Sequence, residues 1–430
     1  MARFFQDPLL QQLIEIALAN NRDARKAALD VEAARALYRI QRAALMPNLD
    51  VAASGAAQLP ADLSATGSAD IARRYDAGGI TTAWELDLWG RLRSLGDRQL
   101  AAYLALDETR IATRMSLVAE VAAAYLTLRA DQELLRLTTD TLATQQRSYN
   151  LTAQLARVGN ATQLDLRLAE ITLRAAEADR AAYTPGRQGS QCPGVAAGSA
   201  LAPALARQLD QANTLPDGIV PATLPGGLPA QLLARRPDLR AAEQRLRAAN
   251  ANIGAARAAF LPAISLTGAA GTASASLDGL FDAGSGAWRF LPQITLPIFR
   301  GGALRANLDL AHVQKRIEIA SYEQSIQAAF REVADALAGK RTLDEQIRAE
   351  QLSVAASQHA YALAEQRFRE GMDDSLALLE THRTLYGTQQ ALVRTRLARL
   401  TNLIDLYKAL GGGWTATTVP PRADAAIASR

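Results

Sequence analysis

Four carboxylates crowd one short stretch of the chain, "RFREGMDDSLALLE" at residues 367–380. They are Glu370, Asp373, Asp374 and Glu380. Acids this close together can serve as general acid and base in an enzyme, ligate a metal ion, or ring the mouth of a pore. The pattern around them predicts a helix that ends in a turn at Gly371 and a second helix that follows. The elements that hold this turn therefore decide which chemistry the acids perform.

The composition excludes several classes of site. The formal net charge is only +4 over 430 residues, with positive and negative side chains interspersed, which argues against a nucleic-acid surface. Cys192 is the only cysteine, and the histidines, His312, His359 and His382, have no partner at metal-ligand spacing. Dinucleotide-binding, phosphate-binding and serine-nucleophile motifs are absent from the sequence. We therefore expect no cofactor, no metal, no nucleic-acid partner and no catalysis.

The sequence contains no run of 18 uncharged apolar residues, so we expect no membrane-spanning helix. It also shows no signal peptide, because "MARFFQDPLLQQLIEIAL" enters an amphipathic helix almost at once. If the protein is exported, we expect its export signal to be missing from this chain.

The chain is an internal duplication. "RAALMPNLDVAASGAA" at 42–57 returns as "RAAFLPAISLTGAAG" at 257–271, and "LTAQLARVGNATQLDLRLAE" at 151–170 returns as "LAEQRFREGMDDSLALLE" at 363–380. The segment "WELDLWGRLRS" returns loosely as "ITLPIFRGGALR". The offset of about 210–215 residues indicates a duplicated domain rather than a short solenoid repeat.

Each half predicts one pair of long antiparallel helices. No proline occurs at 61–184 or at 298–419, so these two tracts can be helical almost throughout. Apolar residues recur in them at three- and four-residue intervals, and each tract has one central turn signal, Gly159 in the first and Gly371 in the second. A helix over about 90–157 would be roughly 100 Å long at 1.5 Å per residue. A compact domain does not need this length, whereas a protein that crosses a wide gap does.

Ahead of each long helix, the sequence predicts strands. Apolar and polar residues alternate in "TTAWELDLWG", "PQITLPIF", "NLDVAAS" and "AISLTGA". Four strands cannot close a membrane barrel, whose minimum is about eight. Several chains could close one shared barrel if each supplied four strands to it. The alternative is a half-buried sheet on a soluble domain. In the barrel, we expect the apolar strand residues to face lipid: Trp84, Leu86, Leu88, Leu296 and Ile298.

Four segments are more specific than these general patterns: "FFQDPLLQQLIEIALANNRDARKAALDVEAARALY", "WELDLWGRLR", "LARRPDLRAAEQRLRAANANIGAARAAFLP" and "LPIFRGG". With them the chain resembles, over nearly its whole length, the TolC-like outer-membrane factors of tripartite, RND-type efflux pumps, and more closely their lipoprotein (NodT/OprM-like) branch. The resemblance implies a mainly helical fold with a membrane β-barrel portion, in which a homotrimer builds a barrel of about 12 strands above a helical tunnel. It implies an outer-membrane location in a Gram-negative bacterium. It also implies passive conduction of drugs, driven by an inner-membrane RND transporter through a periplasmic adaptor.

The resemblance assigns a periplasmic gate to the acidic turn. Channels of this branch carry a leucine ring, an acidic ring and an arginine where this chain has Leu376, Glu380 and Arg383, which helical spacing puts on one face. Glu380 stands where an aspartate is usual. Asp373 and Asp374 would form an outer acidic ring. The alternative is a solvated helix tip in which Glu380 and Arg383 are ordinary i, i+3 neighbours.

The two helical turns are the expected docking site for the adaptor. Each chain has two similar tips, near Gly159 and Gly371. A trimer would therefore offer six quasi-equivalent grooves to the adaptor's own helical hairpins.

Two features depart from the family pattern. This branch begins with an export signal and a lipid-bearing cysteine, whereas Met1 here stands almost directly before "FFQD", so we expect a truncated or partial reading frame. "TPGRQGSQCPGVAAGSA" at 184–200 stands where a helix is expected. Read one base later, the codons of 191–198 permit the helical ending of the family. We therefore expect a compensated frameshift over 185–198, with a natural loop as the alternative.

These observations give an expected layout of the whole chain. The first repeat has N-terminal helices at 1–46, a barrel hairpin at 47–89 and long antiparallel helices at 90–190, and an equatorial or linker segment follows at 191–228. The second repeat has a helix at 229–260, a barrel hairpin at 261–299 and long antiparallel helices at 300–412, before a flexible tail at 413–430.

Two other functions compete with the channel. A soluble coiled-coil scaffold or adaptor would also have long helices, but a sustained heptad with paired charges is absent. An enzyme built on the acids near Gly371 would need a base or nucleophile signature, and none accompanies them.

Overall fold

The computed structural model describes residues 5–58, 72–159, 161–184, 202–211, 214–216, 218–219, 234–373 and 375–412. The predicted frameshift at 185–198, Asp374 and the tail at 413–430 lie outside these residues. In chain order the described elements are α1 (Pro8–Asn20), α2 (Arg22–Ala43), β1 (Asp50–Gln58), β2 (Ala72–Leu86), α3 (Arg91–Arg157), α4 (Gln163–Tyr183), α5 (Pro203–Gln211), α6 (Pro237–Ala258), β3 (Ala263–Ser274), a 3₁₀ helix (Asp278–Phe281), β4 (Gly286–Thr295), α7 (Ala303–Arg369) and α8 (Ser375–Ala409).

The chain divides into two compact units. The helical unit comprises Met1–Ala28, Thr109–Arg240 and Ser325–Arg430, and the sheet unit comprises Leu29–Glu108 and Ala241–Gln324. Each unit takes sequence from both halves of the duplication, so neither half folds as a separate domain.

Two helices are far longer than the others. Helices α3 and α7 each have 67 residues, which corresponds to about 100 Å at 1.5 Å per residue. Each ends at a glycine in the left-handed region, Gly159 with φ of 81° and Gly371 with φ of 72°. The helix after the first turn begins with a capping box, in which the Thr162 hydroxyl accepts from the Asp165 backbone N–H and the Asp165 carboxylate accepts from the Thr162 backbone N–H. The equal lengths follow from the duplication.

Helix α3 bears on the expectation that the chain has no membrane-spanning helix. Among the described residues, α3 contains an 18-residue window that is apolar enough to do so by length and composition alone. Nearly half of that window, 44%, is buried inside the protein. Fully buried residues of α3, including Val121 and Tyr125, belong to the core of the helical unit. Apolar residues of α3 therefore form part of the core of the helical unit.

The core of the helical unit forms where the N-terminal helix packs between the long helices. Leu10, Leu13 and Ile14 of α1 are fully buried in one cluster with residues of α3 and α8, including Leu403. Asp7 caps α1 by accepting from the Leu9 backbone N–H, and its other oxygen accepts from the Tyr125 hydroxyl at 2.6 Å. Burial of these side chains is the main stabilising term, since a buried leucine contributes about 1.5–3 kcal/mol.

The sheet unit contains one antiparallel sheet of four strands in the order β1-β2-β3-β4. The strands β2 and β3 come from different halves of the duplication and pair through ten residues each, from Tyr75 opposite Ser274 to Leu86 opposite Ile264. The outer strands β1 and β4 pair on one side only among the described residues. Such free edges normally pair with another chain or are protected.

A β-bulge between Thr81 and Trp84 decides which side chains share a face of the sheet. The register of β2 against β3 shifts there, and Ala83 adopts a positive φ of 46°. Directly opposite residues lie on the same face. The bulge therefore places Trp84 and Leu86 on the face of Trp288, whereas simple alternation from the start of β2 would have placed them on the opposite one.

Three residues that the sequence assigned to strands lie beyond them. Leu88 follows the end of β2, where Asp87 instead caps α3 by accepting from the Leu92 and Arg93 backbone N–H groups. Leu296 and Ile298 follow the end of β4 at Thr295. The strand ends there because the intervening Pro297 has no N–H to donate to a ladder. The prediction that all five apolar residues lie in strands was therefore wrong for Leu88, Leu296 and Ile298 and right for Trp84 and Leu86.

Candidate functional site

The turn between α7 and α8 is built by glycine. At the end of α7 the Met372 N–H donates to the Arg367 carbonyl at 2.9 Å, and the Gly371 N–H donates to the Phe368 carbonyl at 3.1 Å. These two bonds form a Schellman motif, which needs a residue in the left-handed region at Gly371. A Cβ at Gly371 or at Gly159 would meet no atom within 4 Å. Both turns are therefore sterically open surfaces whose glycines serve the backbone.

Asp373 is already paired within its own chain. The Arg367 guanidinium donates to its two carboxylate oxygens at 2.6 and 2.8 Å. This hydrogen bonding holds the pKa of the Asp373 carboxyl below its ordinary value. The sequence alone gave no signal for this pair, because a spacing of six across a turn has no helical rule. Asp373 thus clamps the turn, and Asp374 lies outside the described residues.

Leu376, Glu380 and Arg383 form an open stripe on α8. Their side chains are largely exposed, at 51% for Leu376, 64% for Glu380 and 75% for Arg383. The Glu380 and Arg383 charges are 3.9 Å apart, which is the limit of an ion pair, and an exposed pair of this kind contributes about 0.2–1 kcal/mol at most. The structure therefore brings these three predicted residues together on one accessible face. We call them the front stripe.

A neighbouring face of α8 is tied to α3, α4 and α7 by polar side chains, which the sequence did not reveal. His382 Nδ1 lies 2.8 Å from Gln145 Nε2 of α3, and its ring lies 5.0 Å from the Tyr361 ring of α7. The Tyr386 hydroxyl lies 2.8 Å from the Thr138 hydroxyl and donates to Asp179 of α4 at 2.9 Å. The front stripe is thus presented by a helix that is anchored on the face beside it.

The described acids of the turn do not form a metal-binding group. Across the described parts of the chain, His, Cys, Asp and Glu side chains form no group of three or more that could hold a metal ion. Asp373 is neutralised by Arg367, and Glu380 points from an open helix face rather than into a pocket. Asp373 and Glu380 therefore do not converge as a general acid and base must.

The sheet is the second candidate site, because its two faces differ in charge. The strands carry six charged side chains, of which five share one face: Asp50, Arg74, Asp76, Glu85 and Arg289. The other face carries apolar and aromatic side chains, including Trp84, Leu86, Trp288, Phe290 and Ile294. We call these the charged face and the apolar face.

Trp288 and Phe290 are lipid-facing candidates that the sequence reading missed. They alternate with Arg289 and Leu291 in "WRFLPQIT". The period-two pattern was therefore present just before the segment "PQITLPIF", on which the strand prediction was based. They are 81% and 58% exposed in the single chain. Exposed aromatics on one face of a sheet mark a surface that another phase or molecule covers.

A duplicated chain with two 67-residue helices, and a four-stranded sheet that segregates charge to one face, has the architecture of an outer-membrane channel subunit. The chain belongs to the outer membrane efflux protein family, whose model matches residues 13–191 and 228–412.

Curated relatives agree with this membership. The chain is 47% identical over 415 residues to a probable efflux pump outer membrane protein, TtgC, of Pseudomonas putida, covering 96% of this chain and 84% of the relative. It is 44% identical over 414 residues to the outer membrane protein OprJ of Pseudomonas aeruginosa, covering 96% and 85%.

Solved structures show the same fold. A membrane protein from Pseudomonas aeruginosa is 43% identical, with a TM-score of 0.90 and coverage of 97% of this chain and 94% of that chain. The open state of the Neisseria gonorrhoeae MtrE outer membrane channel is 38% identical, with a TM-score of 0.81 and coverage of 96% and 91%.

These comparisons confirm the fold class, the function and the location that the resemblance implied. The protein is the outer-membrane channel component of an efflux pump in a Gram-negative bacterium. Its family is one of outer membrane efflux channels rather than a family of enzymes, and membership in it favours the channel over the soluble scaffold.

Proposed function

We propose that three copies of this chain form one channel that is closed at its periplasmic end by the front stripe. Free edges on β1 and β4 support a shared barrel, because four strands are too few to close one and three chains supply twelve. The charged face would line the lumen and the apolar face would contact lipid, which avoids a cost of about 2–4 kcal/mol for a charge at the bilayer midplane.

The contrast between the two faces of α8 carries the gate proposal. The front stripe is exposed, whereas the neighbouring face of the helix is hydrogen-bonded to α3 and α4. Around a threefold axis, Leu376 would form an apolar ring that excludes water, and Glu380 with Arg383 would form charged rings beside it. Asp373 contributes by fixing the turn through Arg367 rather than by offering a free charge, and Asp374 keeps its proposed place in an outer ring.

The turns at Gly159 and Gly371 would dock the helical hairpins of a periplasmic adaptor, which couples the channel to an inner-membrane RND transporter. Open space around both glycines supports docking, because a partner can approach the backbone there. Substrates would pass passively. Relatives are named for efflux of antibiotics and of toluene, which supports small organic compounds as the substrates here.

Cysteine crosslinking tests the gate directly. In a Cys192→Ser background, Leu376→Cys should form spontaneous or short-linker crosslinks between chains, because the residues meet at the axis. Leu363→Cys is a matched control, since Leu363 lies on α7 with a similar exposure of 61%. Crosslinking that is equal at the two positions, or absent at Leu376 in an assembled trimer, would contradict the gate.

A further inference from the structure

Arg73 is out of place on the sheet. It is the sixth charged side chain of the four strands and the only one of the six on the apolar face. The register of the strands gives its face. Arg73 and Gly79 are six residues apart on β2 and so lie on the same face, opposite Ala57 and Val51 of β1. Gly79 is also opposite Ala270, which is opposite Trp288, so this is the apolar face. Arg73 is exposed and makes no ion pair with any residue that the structure describes.

Its neighbour Arg74 provides the contrast. Arg74 points to the charged face, where its guanidinium donates to both carboxylate oxygens of Asp76 at 2.9 and 3.0 Å. Two adjacent arginines of one strand are therefore in opposite situations. Arg74 is paired on the charged face, whereas Arg73 has no ion-pair partner among the described residues and shares its face with apolar and aromatic side chains.

The height of Arg73 on the apolar face explains how its charge is tolerated. Leu86 and Tyr75 pair with Ile264 and Ser274, which are ten residues apart on β3. At about 3.3 Å per residue and a strand tilt of about 40°, this distance spans about 25 Å of membrane thickness. That is the height of the apolar band of a membrane barrel, about 25 Å.

Aromatic residues mark both limits of this band. Trp84 lies near the lower limit, with its indole N–H donating to the Leu45 carbonyl at 3.2 Å. Tyr75 lies at the upper limit, and its ring covers Gly55 of the neighbouring strand so closely that a Cβ there would lie 3.1 Å from a ring carbon. Aromatic girdles occupy these two interfaces in membrane barrels. Arg73 is two residues beyond Tyr75, and so it lies at the level of the lipid headgroups.

We propose that Arg73, with Tyr75 beneath it, binds the anionic phosphate of a lipid headgroup in the outer leaflet. A guanidinium donates two parallel hydrogen bonds to a phosphate, and no acidic side chain of the described strands competes on this face. The proposal rests on the proposed function, because it requires the apolar face to contact lipid. It commits to a membrane lipid rather than to free phosphate.

Native mass spectrometry of the intact trimer tests this binding. The trimer is titrated with phosphatidylglycerol or with phosphatidylcholine of the same acyl chains. The ratio of bound anionic to bound zwitterionic lipid should fall about fivefold in Arg73→Gln, the factor that corresponds to about 1 kcal/mol per arginine near an anionic surface. Arg74→Gln should keep the parental ratio, and Arg73→Lys should keep most of it. Excess inorganic phosphate should not displace the lipid.

Each other outcome contradicts a different step. Loss of the preference in Arg74→Gln but not in Arg73→Gln would mean that the charged face contacts lipid, and the proposed function would fail with it. No change in either variant would overturn the headgroup site alone. Displacement by inorganic phosphate would reassign Arg73 to a soluble anion. If Arg73→Gln does not assemble, two other measurements test the site. Arg73→Lys should keep most of the parental lipid ratio, and the parental ratio should fall as the salt concentration rises. A parental ratio that does not depend on salt would overturn the site.

Discussion

A single arginine on either side of β3 should separate the lipid side of the sheet from the lumen side. Ala270 lies on the apolar face, opposite Gly79 and Trp288, and Ala269 lies on the charged face, opposite Ile80 and Arg289. Both are alanines in one strand, so Ala270→Arg and Ala269→Arg add the same side chain at nearly the same height.

The expected costs differ by several kcal/mol. Ala270 is about midway between Ile264 and Ser274, the levels of the two limits of the apolar band, and so it lies near the bilayer midplane. An arginine there costs about 2–4 kcal/mol in each chain, or about 6–12 kcal/mol in a trimer. Ala269→Arg faces Arg289 across the ladder, and a like-charge pair costs only about 0.2–1 kcal/mol. Leu86→Arg, at the edge of the band, should cost about 0–1 kcal/mol.

The assay is the amount of assembled trimer in outer membranes, measured by native electrophoresis at equal expression. We expect Ala270→Arg to abolish most of the trimer, and Ala269→Arg and Leu86→Arg to retain it. Equal yields for Ala270→Arg and Ala269→Arg, or loss only in Ala269→Arg, would refute the assignment of the two faces.

The other predictions concern the helical unit. Gly371→Asn should impair efflux while leaving trimer yield and melting temperature nearly unchanged, because asparagine tolerates the positive φ of 72° but fills the open docking surface; normal efflux, or adaptor crosslinks only at other sites, would contradict this. Burial lowers the pKa of His382, and the nearby charge of Glu365 only partly opposes this effect. Because the unfolded chain then binds the proton more readily than the folded one, the melting temperature should be highest above about pH 6.5 and should fall as the pH drops below this value. His382→Gln should flatten that part of the pH profile of melting temperature, and an unchanged profile would exclude His382 as its source. Arg236→Ala should lower stability to denaturant by about 1–3 kcal/mol, because it removes bonds to Glu332 and the Ala409 carbonyl, and Arg236→Lys should lose less; no loss in either variant would show that this buried arginine is dispensable.

The order of the long helices, turns and repeats could be predicted from the sequence because proline placement, glycine placement and repeated segments indicate them directly. Uninterrupted helices of this length need tracts without proline, which the sequence shows, and the repeated segments predict that the second half copies the first. The positions of Gly159 and Gly371 as helical turns follow from the same reading, since both adopt the left-handed conformation that glycine favours.

Local pairing could not be read in this way. The bulge at Thr81 to Trp84 is set by the register between strands from different halves, which no single segment encodes. The clamp of Asp373 by Arg367 crosses a turn, and the tie from His382 to Gln145 joins residues 237 positions apart. Such contacts depend on tertiary packing, so the acidic cluster appeared more uniform in sequence than it is in the structure.

Single-channel conductance in planar bilayers tests the central claim most directly. The parental trimer should be nearly closed, and Leu376→Ala combined with Glu380→Ala should conduct several times more and should admit large antibiotics such as vancomycin into cells, because the apolar and acidic rings are both removed. Leu164→Ala is the control, as Leu164 is a leucine of comparable exposure, 67%, near the other helical turn. Equal conductance of the parent and the double variant would contradict the account and return Leu376 and Glu380 to a solvated helix tip.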